Sequence, residues 1–230
     1  MAGPVAAAQT QSLIHLHPVV FGDSLAQGML YQEARARLPD VGLQNMQVRA
    51  SIGKPFGFVA ARIREAYANG QIPRGGTVVV FAGMNDLTAL TSPVWDALSS
   101  AASRAERIAK GVAALESQVD SFLKWAKDNG LNVVFATLPP CREHTPLRHL
   151  RREYSADSMA AMSEFNRFLA SRGSGTVRVM DLSELAVRNP DGSRGDAMRR
   201  ELTSDGMHPN PEGYRLIMNM LIRALNEIRN

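Results

Sequence analysis

Short apolar runs rich in β-branched residues alternate along this chain with longer segments whose apolar residues recur at helical spacing. Runs of the first kind favour buried strands, and spacing of the second kind favours amphipathic helices. The expected strands are His17–Gly22, Met46–Ala50, Thr77–Gly83, Asn132–Leu138 and Val177–Asp181. The expected helices are Ser24–Arg37, Val59–Ala68, Pro93–Asp128, Ala156–Ser171 and Pro211–Ile228.

Three of the expected helix ends carry local signals. Ser92 is placed to cap the long third helix, with Pro93 in its first turn, and Gly130 stands where that helix must stop. Asn210 followed by Pro211 gives the last helix the same kind of start. These signals support the helical interpretation of both segments.

Strand–helix alternation of this kind predicts a parallel sheet with helices on both faces, a three-layer α/β/α sandwich. The nearly continuous apolar run from Thr77 to Ala82 fits a strand that is buried on both sides. No internal repeat or linker divides the chain. We therefore expect one domain over residues 1–230, with residues 1–16 as a loose N-terminal segment.

Composition narrows the classes of protein to which this chain can belong. Its 230 residues are 45% hydrophobic and 21% charged, as in ordinary globular proteins. No run of apolar residues is long enough to span a membrane. The net charge of +4 is carried by scattered arginines without a basic, aromatic-rich stripe, which argues against nucleic-acid binding.

The N-terminal residues and the cysteine content bear on location. The first twelve residues have neither a basic start nor a sustained apolar run, and Cys141 is the single cysteine. A cytoplasmic protein is the expectation, although a secreted protein whose leader has been removed would look the same. Oligomeric state stays open.

Residues suited to catalysis follow the expected strands, and ligands of parallel α/β sheets bind at that edge. Ser24 follows the first strand at a helix start, where its hydroxyl is exposed and its amide can stabilise an oxyanion. Ser24 or Asp23 could equally be a plain helix cap. Gly53 follows the second strand and lets a backbone N–H approach a substrate closely. Asn85 follows the third strand and offers a neutral side-chain donor, or else a turn.

The fourth element of this set precedes the last helix. Asp205 and His208 are three residues apart in a turn, so the carboxylate can fold back onto the imidazole Nδ1 and leave Nε2 for a serine. Alone, each of these segments has an ordinary structural explanation. Together they supply a nucleophile, a base, an orienting acid and oxyanion donors, which indicates one site.

Three of these segments resemble known signature blocks. Gly22–Leu25, Gly83–Asp86 and Asp205–Pro209 are similar, in sequence and in order, to the blocks of the SGNH (GDSL-type) hydrolase superfamily. The resemblance implies a flavodoxin-like sheet with strand order 2-1-3-4-5. It implies Ser24 as nucleophile, His208 as general base and Asp205 as its partner, with the oxyanion held by the Ser24 amide, the Gly53 amide and the Asn85 side chain.

The second block departs from the family pattern, because its glycine usually lies a residue or so further from the strand. Gly53 is the expected second oxyanion donor, and Gly57 is the alternative.

The expected activity is hydrolysis of short acyl esters, acetyl esters of a carbohydrate among them, through an acyl-enzyme and without a metal or organic cofactor. Lipid esters and thioesters are the alternatives within the family, and a catalytically silent carbohydrate-binding module is the alternative outside the enzymes. The segment from Pro139 to Ser155 follows the fourth strand and is either a clamp for an anionic or sugar substrate or a solvated surface. Its charged residues are Arg142, Glu143, His144, Arg148, Arg151, Arg152 and Glu153.

Overall fold

The computed structural model of the chain describes residues 13–91, 100–141 and 156–229. Five parallel strands form its central sheet in the order β2-β1-β3-β4-β5, which confirms the expected fold and strand order. They are β1 (Val19–Gly22), β2 (Gln47–Ala50), β3 (Thr77–Phe81), β4 (Asn132–Ala136) and β5 (Val177–Met180). All five expected strands are present, each one to two residues shorter than the sequence predicts at one end or the other.

Helices of the described residues cover both faces of this sheet. They are α1 (Ser24–Gln27), α2 (Gln32–Arg35), α3 (Phe56–Ala68), α4 (Met84–Leu90), α5 (Ala101–Asp128), α6 (Ala156–Ser171) and α7 (Pro211–Arg229). The apolar side chains of α3, α4, α5 and α6 form one buried cluster with the sheet, and those of α1, α2 and α7 form a second cluster on the other face. The three-layer sandwich is therefore confirmed.

The predicted helix Ser24–Arg37 is wrong as a continuous element. It is divided into α1, a single 3-10 turn over Gly28–Leu30, and α2, and Tyr31 between them has an extended ψ of 141°. Gly28 lies against the ring of Tyr214, where a Cβ would come within 2.0 Å of ring atoms. The interrupted segment thus packs closely against α7.

The long helix also begins later than predicted. The start signal at Ser92 and Pro93 lies outside the described residues, and α5 begins at Ala101 after Ser100, whose Oγ accepts a hydrogen bond from Ser103 N. Ser100 has a non-helical ψ of 158°, so the helix Pro93–Asp128 is not continuous through this residue. The expected end is confirmed, because α5 stops at Asp128 and Gly130 has φ of 69°.

Three smaller differences complete the comparison. Helix α3 begins at Phe56 instead of residue 59, and the short helix α4 has no counterpart among the expected helices. A two-stranded antiparallel hairpin, β6 (Ala186–Arg188) and β7 (Arg194–Met198), also has no counterpart among the expected elements.

The N-terminal segment differs from the expectation in its last residues. Residues 1–12 lie outside the described part of the chain, but Leu13 and Leu16 are buried in the second cluster, and Leu13 N donates to Val41 O at 2.8 Å. The prediction of a loose segment is therefore wrong for residues 13–16, because burial of the two leucines removes apolar surface from water and stabilises the packed arrangement. None of the helices described here is long and apolar enough to cross a bilayer.

Candidate active site

Three side chains from opposite ends of the chain meet at the carboxyl edge of the sheet. The Ser24 Oγ lies 3.0 Å from the His208 Nε2, and the His208 Nδ1 lies 2.8 Å from the Asp205 Oδ2. The imidazole tautomer with its proton on Nδ1 satisfies both contacts and leaves Nε2 as the acceptor of the serine proton. All three residues are partly exposed, so the serine oxygen can meet a substrate.

The turn after β1 presents Ser24 at the first position of α1. Asp23 caps this helix, since its Oδ1 accepts a hydrogen bond from Leu25 N at 2.9 Å. Gly22 permits the close approach to β3 that the turn needs, because a Cβ there would lie 2.3 Å from Phe81 O. Capping is thus performed by Asp23, and the Ser24 hydroxyl is left for His208.

Hydrogen bonds between side chains and the backbone shape the turn that carries His208. Asp205 Oδ1 accepts from Met207 N at 2.8 Å and from His208 N at 2.7 Å, while its other oxygen contacts the ring. Thr203 Oγ1 donates to His208 O at 2.7 Å and accepts from Gly206 N at 2.9 Å. One carboxylate and one hydroxyl therefore fix both the backbone and the ring of His208.

The charge of Asp205 is maintained by these contacts. Burial by itself would raise the pKa of Asp205, but the hydrogen bonds from the His208 ring and from two backbone N–H groups outweigh it and lower the pKa to about 2. The carboxylate stays ionised at neutral pH, where it can stabilise an imidazolium.

Asp23 has the opposite electrostatic character. It is fully buried, and burial raises its pKa to about 6 despite the hydrogen bond from Leu25 N and the nearby His208. Its second oxygen accepts from the Asn85 Nδ2 at 2.9 Å. A buried carboxylate thus joins the nucleophile turn to the expected oxyanion donor.

Asn85 lies at the second position of α4. Gly83 precedes this helix with φ of 114°, and a Cβ at Gly83 would come within 2.7 Å of the Phe165 ring, so the strand-to-helix turn requires glycine. The Asn85 Nδ2 donates to Asp23 at 2.9 Å and, over a longer and exposed contact of 3.3 Å, to Lys54 O. The structure thus brings Asn85 to the same edge as Ser24 and the Gly53 turn.

The two glycine candidates differ in their surroundings. Gly53 is exposed, has φ of 71°, and its N–H makes no hydrogen bond within the described residues. Gly57 lies within the first turn of α3, and a Cβ there would face Gln118 Oε1 of α5 at 3.1 Å. Gly57 is also exposed, and its N–H likewise makes no hydrogen bond among the described residues, so Gly53 stays the first choice because of its place in the turn after β2.

Sequence reasoning singled out Asp23 only as a cap and missed Thr203 and Tyr214. Tyr214 is buried against Gly28. Burial, and to a smaller extent the negative charge of Asp23, raises the pKa of its phenol. A threonine two residues before Asp205 and a tyrosine in the last helix carry no distinctive motif, so only the fold reveals them. The charged segment after Cys141, from residue 142 to residue 155, lies outside the described residues.

Comparison with known proteins places this geometry in a family. The GDSL-like Lipase/Acylhydrolase family matches residues 20–216, which include all of the expected site residues. A search of curated proteins found no match.

Solved structures share the fold at low sequence identity. A GDSL-like lipase from Bacteroides thetaiotaomicron has a TM-score of 0.61 and 20% identity, over 99% of this chain and 92% of its own. An acetyl xylan esterase has a TM-score of 0.58 and 15% identity, over 90% and 98%. The catalytic domain of peptidoglycan O-acetyltransferase A from Streptococcus pneumoniae has a TM-score of 0.59 and 14% identity, over 92% and 93%.

Proposed function

The chain belongs to the GDSL-like lipase/acylhydrolase family and is a serine esterase in type, and from this premise we propose that it hydrolyses short acyl esters through an acyl-enzyme on Ser24. The observation that carries the proposal is the continuous line of contacts from Ser24 Oγ to His208 at 3.0 Å and from His208 to Asp205 at 2.8 Å. That arrangement is the one by which a neutral serine becomes a nucleophile.

In the first step the Ser24 Oγ attacks the ester carbonyl carbon while the His208 Nε2 takes the hydroxyl proton. Asp205 stabilises the imidazolium and holds its orientation. When the tetrahedral intermediate collapses, the bond to the alcohol oxygen breaks and His208 returns the proton to that oxygen. Water then attacks the acyl carbon as His208 takes its proton. The bond from this carbon to the Ser24 Oγ breaks, and His208 returns the proton to that oxygen, which releases the acid and the free serine.

The oxyanion of each tetrahedral intermediate is held by the N–H groups of Ser24 and Gly53 and by the Asn85 side chain. Since both hydrogens of the Asn85 amide have protein partners, the longer bond to Lys54 O is exchanged for the oxyanion, and the bond to Asp23 is kept. Charge-assisted bonds are the stronger ones, which favours this exchange.

Acetyl esters of saccharides are the proposed substrate class. The support is the fold shared with an acetyl xylan esterase and with a peptidoglycan O-acetyltransferase. A second candidate, longer-chain esters, is favoured by a different observation: the exposed large apolar side chains of the described residues include Ile52, next to Gly53 in sequence, and Phe58 in the first turn of α3. Apolar surface of this kind can bind an acyl chain.

Rates on p-nitrophenyl acetate and p-nitrophenyl octanoate, measured with the wild-type protein and with Ser24→Ala, test the proposal. We expect the acetate to be the better substrate by kcat/KM and both activities to be lost in Ser24→Ala. A clear preference for the octanoate would favour the second candidate. Equal, measurable rates for wild type and Ser24→Ala would contradict the serine mechanism. Rates of both proteins no faster than the uncatalysed reaction would favour a catalytically silent binding protein.

A further inference from the structure

The turn that carries Gly53 is tied to the nucleophile strand at its first residue. Ser51 N donates to Gly22 O at 2.7 Å, and Lys54 N donates back to Ser51 O at 3.2 Å, which closes the turn around Gly53. A positive φ of 71° at the third position of such a turn is the reason for glycine there. Because Gly22 lies two residues before Ser24, this end of the turn moves only with the nucleophile.

The other end of the turn is held by a residue outside it. Asp86 Oδ2 accepts a hydrogen bond of 2.8 Å from Phe56 N, the first N–H of α3. Pro55, which precedes that helix, contributes no side-chain cap, and Asp86 supplies from α4 an acceptor for one of the N–H groups that a helix start leaves without an intrahelical partner. A carboxylate at this place also complements the positive end of the helix dipole.

Both neighbouring residues of α4 therefore bind the same short segment. Asn85 donates to Lys54 O until this bond is exchanged for the oxyanion, whereas Asp86 keeps its contact with Phe56 N. Gly53, between these contacts and the nucleophile strand, has a free N–H. Only a few residues separate the fixed points, so the direction of the Gly53 N–H depends on them.

We infer that Asp86 is a positioning residue for the esterase reaction: its carboxylate, by holding Phe56 N–H, fixes the Gly53 N–H in the direction that the oxyanion requires. This inference rests on the proposed function, because Gly53 has this task only if an oxyanion forms beside Ser24. Asp86 itself touches no reacting atom.

A cap that served stability alone would behave differently, and the chain offers a matched control. Ser100 caps α5 through Ser103 N and lies in no part of the site, so Ser100→Ala removes a helix cap without a catalytic consequence. The test compares Asp86→Ala, Asp86→Asn and Ser100→Ala with wild type by kcat and KM on p-nitrophenyl acetate and by thermal unfolding. If Asp86→Ala does not fold, Asp86→Ser takes its place, because its shorter side chain cannot reach Phe56 N.

We expect kcat of Asp86→Ala to fall at least tenfold with KM within threefold of wild type. Asp86→Asn should recover kcat to within threefold, since its Oδ1 can still accept from Phe56 N, and Ser100→Ala should lower Tm with unchanged kcat. A kcat of Asp86→Ala within twofold of wild type, or Asp86→Asn as slow as Asp86→Ala, would overturn the inference and leave the proposed function standing. A wild-type protein without esterase activity would overturn the proposed function, and the inference with it.

Discussion

The buried carboxylate of Asp23 accepts a hydrogen bond of 2.9 Å from the amide of Asn85, and it does so across 62 residues of sequence. Its other oxygen caps the helix that begins with Ser24. The Asp23 carboxylate thus contacts both the helix that carries the nucleophile and the proposed oxyanion donor. The first prediction concerns this carboxylate.

Asp23→Asn should separate stability from activity. The folded pKa of about 6 exceeds the unfolded value of 3.8, so the folded protein binds this proton more tightly than the unfolded chain. The stability that this group contributes is complete below pH 3.8 and is lost as the pH rises through 6, by about 3 kcal/mol in all. Asparagine does not titrate. The difference in unfolding free energy between wild type and Asp23→Asn, measured by urea titration, should therefore fall by about 3 kcal/mol between pH 3.5 and pH 7.

The same substitution should reduce turnover roughly tenfold or more, because the new amide places a donor against the Asn85 Nδ2 and forces it to reorient. The exposed Asp40 provides the control, and Asp40→Asn should change neither quantity. A pH-independent stability difference would show that Asp23 does not carry a raised pKa.

Asn85→Ala removes the side-chain donor proposed for the oxyanion. We expect kcat on p-nitrophenyl acetate to fall by roughly two to three orders of magnitude with little change in KM, since this donor acts on the charge that forms in the transition state. The matched control is Asn132→Ala on β4, which removes a side-chain hydrogen bond to Gly75 O. Near-normal turnover of Asn85→Ala would remove Asn85 from the mechanism.

Asp205→Asn should leave the fold in place and lower kcat by roughly ten-thousand-fold. The amide oxygen can accept a hydrogen bond from Nδ1, but a neutral amide cannot stabilise the positive charge of the imidazolium. Asp191→Asn makes the same change in an exposed turn that Asp191 closes onto Ser193, and it should be silent. Steady-state kinetics at neutral pH measure both. If the two variants were equally active, His208 would need another partner.

Alanine substitutions can decide between the two candidate glycines. Gly53→Ala has open space for its Cβ but must keep φ of 71°, so the turn should relax and turn its N–H away, lowering kcat. Gly57→Ala keeps helical geometry and displaces only the end of Gln118, so its kcat should stay close to wild type. The reverse order of the two kcat values would assign the donor to Gly57.

Much of this arrangement was predictable because it depends on local patterns. Apolar runs located all five strands of the sheet, and the ends of those strands located Ser24, Gly53 and Asn85. The direct contact between Ser24 and His208, 184 residues apart, follows from the position of the last helix and from the order of the strands, which the resemblance to the SGNH hydrolases implied.

Other features depend on packing that a sequence does not display. The expected first helix is interrupted at Tyr31, which has an extended ψ, after a 3-10 turn in which Gly28 packs against Tyr214. Asp23 could be interpreted as a cap, but its burial and its contact with Asn85 arise only when β1 and β3 lie side by side. Asp86, beside Asn85 in the same motif, contacts Phe56 N because the strands that precede these two residues, β3 and β2, lie on either side of β1.

The central claim is that one hydroxyl, activated by His208, becomes covalently acylated during turnover. Reaction of the folded protein with a fluorophosphonate probe, followed by peptide mass spectrometry, tests it most directly. We predict a single adduct on Ser24, absent in Ser24→Ala and formed far more slowly in His208→Ala. A well-folded wild-type protein that hydrolyses esters but takes up no probe, or that carries the adduct on another residue, would contradict the account.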